Sequence, residues 1–137
     1  MYCTMMKIRF VVVGKPSREF LSVIVDFEKR LPKYCSFEVF EVKDESGVEN
    51  KLKGTIVVLD VRGKQLSSEA LSSWLRDKEA VTFVIGGAEG LSSKVKQKAN
   101  FLLSFSQMTF PHQLARLILT EQVYRAFTIL KNEKYHK

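Results

Sequence analysis

A chain of 137 residues, 45% of them hydrophobic, has room for a single core of one domain spanning 1–137, which excludes a disordered segment and a multidomain enzyme. Twenty-two Lys and Arg against 15 Asp and Glu leave a formal charge of +7, an excess that favours an anionic partner such as nucleic acid. Cys3 and Cys35 match no metal or redox spacing and His112 and His136 are the only histidines, so no zinc or other metal is expected. The apolar run 10–13 follows Lys7 and Arg9 and is too short for a signal peptide, and nothing approaches the roughly 20 apolar residues of a membrane span. A soluble, cytoplasmic protein is the expectation.

Strand and helix patterns alternate along the chain. Ile8, Phe10, Val11, Val12 and Val13, ending at Gly14, read as a buried strand. Ser17 can cap a helix carrying Phe20, Val23, Ile24, Phe27 and Leu31, which Pro32 stops. Phe37, Val39, Phe40 and Val42 give a second strand. Residues 43–54 are charged and contain glycine, so they read as a surface loop. The third strand is TIVVL, Thr55 to Leu59, closed by Asp60 and Gly63. Ser67 can cap a helix carrying Leu71, Trp74 and Leu75. Val81 to Ile85 form a fourth strand that runs into Gly86-Gly87-Ala88-Glu89-Gly90. A short helix over about 92–99, a fifth strand near 101–105 and a last helix from near Pro111 to about Lys131 complete the set. This alternation predicts an α/β fold, with a mostly parallel sheet flanked on both faces by helices. The last helix is apolar around more than one face: Leu114, Leu117, Ile118 and Tyr124 are joined by Leu119, Val123, Ala126, Phe127 and Leu130. That surplus predicts burial against a second subunit, with deep burial within a monomer as the alternative.

In open α/β sheets ligands bind where strands end. Three segments gather there: Leu59-Asp60, the loop 86–90, and 104–112. The glycine loop lacks GxGxxG spacing and no P-loop Lys-Ser pair follows it, which argues against dinucleotides and nucleoside triphosphates. By itself it is also consistent with a plain strand-to-helix turn. The segment Ser104-Phe-Ser-Gln-Met-Thr-Phe-Pro-His112 mixes apolar side chains, hydroxyls and free backbone. It could surround a purine and hydrogen-bond its edge, or equally serve as a packed connection into the last helix.

The run Phe83-Val-Ile-Gly-Gly-Ala-Glu-Gly-Leu-Ser92, the block Ser104-Phe-Ser-Gln-Met-Thr-Phe-Pro-His-Gln-Leu-Ala-Arg-Leu-Ile-Leu-Thr-Glu-Gln-Val-Tyr-Arg-Ala-Phe127 and the ending Tyr135-His-Lys137 resemble the bacterial 23S rRNA pseudouridine N3-methyltransferases. These belong to the SPOUT class of trefoil-knotted methyltransferases. The resemblance covers nearly the whole chain from Met6. It implies a C-terminal knot, a homodimer, S-adenosyl-L-methionine as methyl donor, and as substrate a pseudouridine of 23S rRNA within the assembled ribosome. It places the donor against Leu59, Gly86, Phe105, Ser106, Gln107, Met108, Thr109 and Phe110. Two departures stand out: the family usually carries an extra helix where this chain has only 43–54, and residues 1–5 precede the usual start as a possible extension.

Transfer to N3 needs alignment and removal of a proton from a weakly acidic imide. His136 is the expected acceptor because imidazole titrates near neutrality, with Tyr135 and Lys137 ordering the tail or contacting phosphate, and Arg125, placed with the catalytic residues, able to pair with rRNA phosphate. Lys15, Arg18, Arg116 and Lys137 are the expected RNA contacts through phosphate, whereas Lys94, Lys96 and Lys98 read as a solvated helix face. Rival readings are a non-catalytic RNA-binding module, a flavodoxin-like or nucleotide-binding domain, and a methyltransferase of the same class acting on another RNA.

Overall fold

The computed structural model describes residues 5–137; the possible extension at 1–5 and Cys3 therefore lie almost wholly outside the described residues. Five strands, β1 (Lys7–Val13), β2 (Ser36–Val42), β3 (Thr55–Gln65), β4 (Ala80–Ile85) and β5 (Phe101–Ser104), pair in the order β2-β1-β4-β3-β5, every pair parallel. The helices are α1 (Arg18–Glu28), α2 (Ser68–Leu75), α3 (Ser93–Lys96) and α4 (His112–Leu130). Parallel neighbours need crossovers, and crossovers cover both faces, so the strands are apolar continuously rather than alternately.

The two faces are covered unequally. Ile8, Phe10, Val12, Val57, Phe83, Ile85 and Leu103 point to one side, where they meet Leu71 and Leu75 of α2 and Leu119, Val123, Ala126 and Phe127 of α4. Phe10 is fully buried and meets Phe37 and Phe83 edge-on at 5.0 and 5.7 Å, arrangements that add to plain burial. α1 reaches this layer through α4, with the rings of Phe27 and Tyr124 6.0 Å apart. On the opposite face Val11, Ile56, Val58 and Val84 are covered by Val95 of α3 and by Val48.

The 43–54 segment is therefore more than a surface loop. It folds into two 3-10 turns, Glu45–Gly47 and Glu49–Lys51, and sets Val48 at 0% exposure against the sheet. The first helix also differs from expectation: it ends at Glu28, and Pro32 lies in a separate 3-10 turn, Leu31–Lys33, instead of terminating the helix. Val23 is not on its buried side but 42% exposed. Ser67 caps α2 as expected, its Oγ accepting from the Ala70 N–H at 3.0 Å.

β3 runs past its expected end at Leu59. Leu59 pairs with Leu103 of β5, the chain bulges outward, and Lys64 and Gln65 then pair with Leu103 and Ser104. The bulge depends on Gly63, where a Cβ would stand 2.5 Å from the Leu102 carbonyl oxygen. Only glycine permits the 60–65 segment to lie this close across β5. Among the described residues, no helix is long and apolar enough to cross a membrane.

Candidate functional site

The carboxyl ends of β3, β4 and β5 open into a cavity of about 880 Å³, within the size range of small-molecule sites. Its apolar walls include Leu59, Ile85, Leu103, Phe105 and Phe110, and the glycine loop 86–90 forms one rim. The loop folds back tightly, with the Gly90 N–H donating to the Gly87 carbonyl at 3.0 Å. A Cβ on Gly86 would lie 2.9 Å from the Leu91 side chain and 3.1 Å from the Gly90 backbone, so the loop can fold back this tightly only because that side chain is missing.

Across from the glycine loop runs the connection from β5 to α4. The Ser104 hydroxyl donates to the Ser106 carbonyl at 2.8 Å, the Ser106 N–H donates back to it at 3.2 Å, and the Met108 N–H donates to the Ser106 hydroxyl at 3.0 Å. Outside the strand ladder, no backbone-to-backbone hydrogen bond involves Phe105–Phe110 among the described residues. A turn held by serine hydroxyls leaves several main-chain donors and acceptors for a ligand. Phe105, Ser106, Met108, Thr109 and Phe110 all line the cavity; Gln107, expected with them, is exposed and does not.

Two residues of the lining, Asp60 and His112, fall in the segments that the sequence gathers at the strand ends but does not single out as site residues. Asp60, at the start of the β3 bulge, pairs with Lys96 of α3 at 3.1 Å and accepts from the Arg62 N–H at 3.1 Å. Burial alone would raise the Asp60 carboxyl, but the Arg62 N–H and the Lys96 ammonium outweigh it and hold it below the ordinary carboxylate value. Lys96 is thus a cavity residue, not a member of a solvated row; Lys94 and Lys98 do lie outward, near Glu49 at 3.9 and 3.3 Å. His112 also lines the cavity, in the first turn of α4. Only a three-dimensional contact could reveal the Asp60–Lys96 pair, since no local motif joins them.

The expected catalytic trio forms a second cluster apart from the cavity lining, on the side of α4 facing α2. Arg125 pairs with Glu121 at 2.8 Å, its guanidinium carbon lies 4.9 Å from the Tyr135 ring centre, and the Tyr135 hydroxyl donates to Glu121 at 2.7 Å. Burial and the Glu121 carboxylate push the Tyr135 phenol upward, so it stays a donor. His136 is held on both ring nitrogens: Nδ1 is 3.0 Å from Arg125 and Nε2 is 3.0 Å from Glu69. Arginine can only donate, so Nδ1 accepts and Nε2 carries the proton shared with Glu69. Its hydrogen bond to His136 lowers the Glu69 carboxyl.

Of the expected RNA contacts, Lys15, Arg18 and Lys137 are exposed. Arg116 is corrected. It is 4% exposed and bridges Glu28 of α1 at 3.0 Å and Glu41 of β2 at 2.7 Å, with its Nε left without a partner. A guanidinium engaged this way holds α4 to its neighbours and is not presented to phosphate.

With the geometry in place, the likeness to known proteins is specific. Residues 6–136 match the family described as predicted SPOUT methyltransferases. A ribosomal RNA large subunit methyltransferase H of Clostridium botulinum is 41% identical over 159 aligned positions, covering 96% of this chain and 100% of the relative. A protein of Methanococcus vannielii, provisionally given the same name, is 40% identical over the same shares. The chain belongs to the SPOUT methyltransferase family and is a methyltransferase by descent. Its fold is shared by a methylase family protein of Haemophilus influenzae, with a TM-score of 0.63 at 14% identity over 96% of this chain and 71% of that one. A provisionally named RNA methyltransferase of Bacillus anthracis gives 0.54 at 15% identity over 88% of this chain and 94% of that one. The 159 aligned positions exceed the 137 residues here, so both relatives carry residues this chain lacks.

Proposed function

We propose that this protein transfers the methyl group of S-adenosyl-L-methionine to N3 of a pseudouridine in 23S rRNA, acting in the cytoplasm on the assembled ribosome as a homodimer. The observation that carries the reading is the cavity between the glycine loop and the serine-held turn, in a chain alike from end to end to ribosomal RNA large subunit methyltransferases.

The residues present fit the donor. Apolar walls suit a purine and a thioether-like chain, and the free main-chain groups of 105–110 can read the purine edge. Leu59, Gly86, Phe105, Ser106, Met108, Thr109 and Phe110 would hold it. When bound it supplies a methyl group already activated on a sulfonium. The protein then has to align the nucleobase behind that methyl, exclude water and take up the imide proton.

Arg125, Tyr135 and His136 are preorganised for orienting the nucleobase but lie outside the cavity lining of their own chain. A second subunit that brings its tail to this cavity would complete the site. The apolar surface for such pairing exists: Leu21 and Val23 of α1 are 45% and 42% exposed, and Leu114, Leu117 and Ile118 of the adjoining α4 are only half-buried. Lys15, Arg18 and Lys137 supply phosphate contacts. The passage of 60–65 across β5 supports the trefoil threading. Residues missing relative to the relatives favour one variation of this reading, the same chemistry on a different RNA.

Calorimetric titration with S-adenosyl-L-methionine, followed by methylation of ribosomes lacking this modification, tests the proposal. Binding plus transfer to 23S rRNA is the expected result; binding without transfer to 23S rRNA would move the target to another RNA, and absence of binding would leave a non-catalytic RNA-binding protein.

A further inference from the structure

The protein has two histidines, and the structure treats them in opposite ways. His136 has both ring nitrogens engaged, accepting from Arg125 at Nδ1 and donating to Glu69 at Nε2, and neither is open to a new proton. Tyr135 is a committed donor to Glu121. His112 makes no side-chain hydrogen bond among the described residues and lines the cavity between Phe110 and Ala115. Its Nε2 faces the turn after β1, lying 3.8 Å from where a Cβ on Gly14 would stand. The ring edge is half-buried there, beside the turn that carries Lys15.

We propose that His112, not the tail histidine, accepts the N3 proton of the substrate; this rests on the methyltransferase reading above. The N3–H bond breaks and its proton passes to a ring nitrogen of His112. The N3 electron pair forms the new bond to the methyl carbon, and the carbon–sulfur pair returns to sulfur. The positive charge that leaves the sulfonium is matched by the charge gained on the imidazole. His112 opens α4, directly after the donor-binding connection, so the helix fixes the base next to the turn that holds the donor. The cluster of Arg125, Tyr135 and His136 then orients the nucleobase. The charged groups sharing the cavity with His112 are Asp60, Arg62, Glu89 and Lys96.

Two measurements on the full-length protein test this. Imidazole nitrogen NMR with S-adenosylhomocysteine, the transfer product, should move the His112 resonances; unmoved His112 resonances overturn the proposal. Single-turnover methylation of ribosomes lacking the modification should fall about 100-fold or more in His112→Gln and in His112→Asn near neutral pH. That deficit should shrink as pH rises and the imide ionises unaided, with calorimetric donor binding within about threefold of wild type. His136→Gln should lose rate equally at every pH. An active wild type with an unaffected His112→Gln, or a loss independent of pH, overturns the assignment alone. A wild type that binds the donor and leaves the ribosome unmethylated overturns the substrate reading and the proposal with it.

Discussion

The cavity at the strand ends and the tail cluster lie on the same small molecule and are built by opposite means. The cavity is made by omission: Gly86 withholds a side chain, several main-chain groups of 105–110 stay outside the backbone network, and apolar walls offer nothing to water. The tail cluster is made by saturation. Glu121, Arg125, Tyr135, His136 and Glu69 satisfy one another in a continuous chain of contacts. A site of omissions waits for a ligand that brings its own functional groups, whereas a saturated cluster holds its geometry until a partner offers better contacts. The first should fail when atoms are added, the second when atoms are removed.

The sharpest way to break this contrast is Gly86→Phe. A Cβ there would stand 2.9 Å from Leu91, so the ring has to displace the loop that lines the cavity, and calorimetric binding of S-adenosyl-L-methionine should weaken by about 100-fold or more, roughly 2.7 kcal/mol. Donor affinity unchanged in a folded variant would move the donor elsewhere. Arg125→Ala tests the other half: donor binding should remain within about twofold, while single-turnover transfer falls by roughly 10- to 100-fold because Tyr135 and His136 lose their common anchor. Equal loss of binding would merge the two regions into one site.

Asp60→Asn probes the one strongly charged contact in the cavity. Its folded carboxyl lies below the unfolded value of about 3.9. The stabilisation is therefore fully present above that value and is lost as pH falls through the folded one. Wild type should melt above the variant at pH 7, and the gap in Tm should close as the carboxylate protonates. A gap that widens in acid would reverse the assignment. The smallest effect is expected at Cys35, in neither region, where burial pushes the thiol up to about 12. Alkylation of Cys35 by iodoacetamide in the folded protein, followed by mass spectrometry, should be undetectable at pH 8 and rapid in denaturant.

Much of the sheet was readable because strands buried on both faces must be apolar without interruption, as in Val81 to Ile85 and Thr55 to Leu59. The second half of β3 was not, since Asp60-Val-Arg-Gly-Lys64 has the composition of a turn and becomes strand only by pairing with β5. Val48 hid for a related reason: one apolar residue among charges carries no period, and only the sheet face above it explains its burial. At the site, the serine-rich connection was visible as chemistry, but Asp60–Lys96 and the burial of Arg116 depend on contacts between distant elements. The tail cluster was found by likeness to a family, for no periodicity points to Tyr135 or His136.

The glycine that lets the β3 bulge lie against β5 also fixes an order of assembly. Because Gly63 rests on the Leu102 backbone, residues 60–65 cannot settle until β5 is in its groove, and every strand pairing here joins segments separated by a crossover. Such chains gain their long-range contacts late and slowly. The cavity, whose walls come from β3, β5 and the start of α4, can close only after the later elements have docked. A partly synthesised or partly folded chain would expose basic surface but have no cavity, so competence to bind a ligand there arrives with the last step of folding.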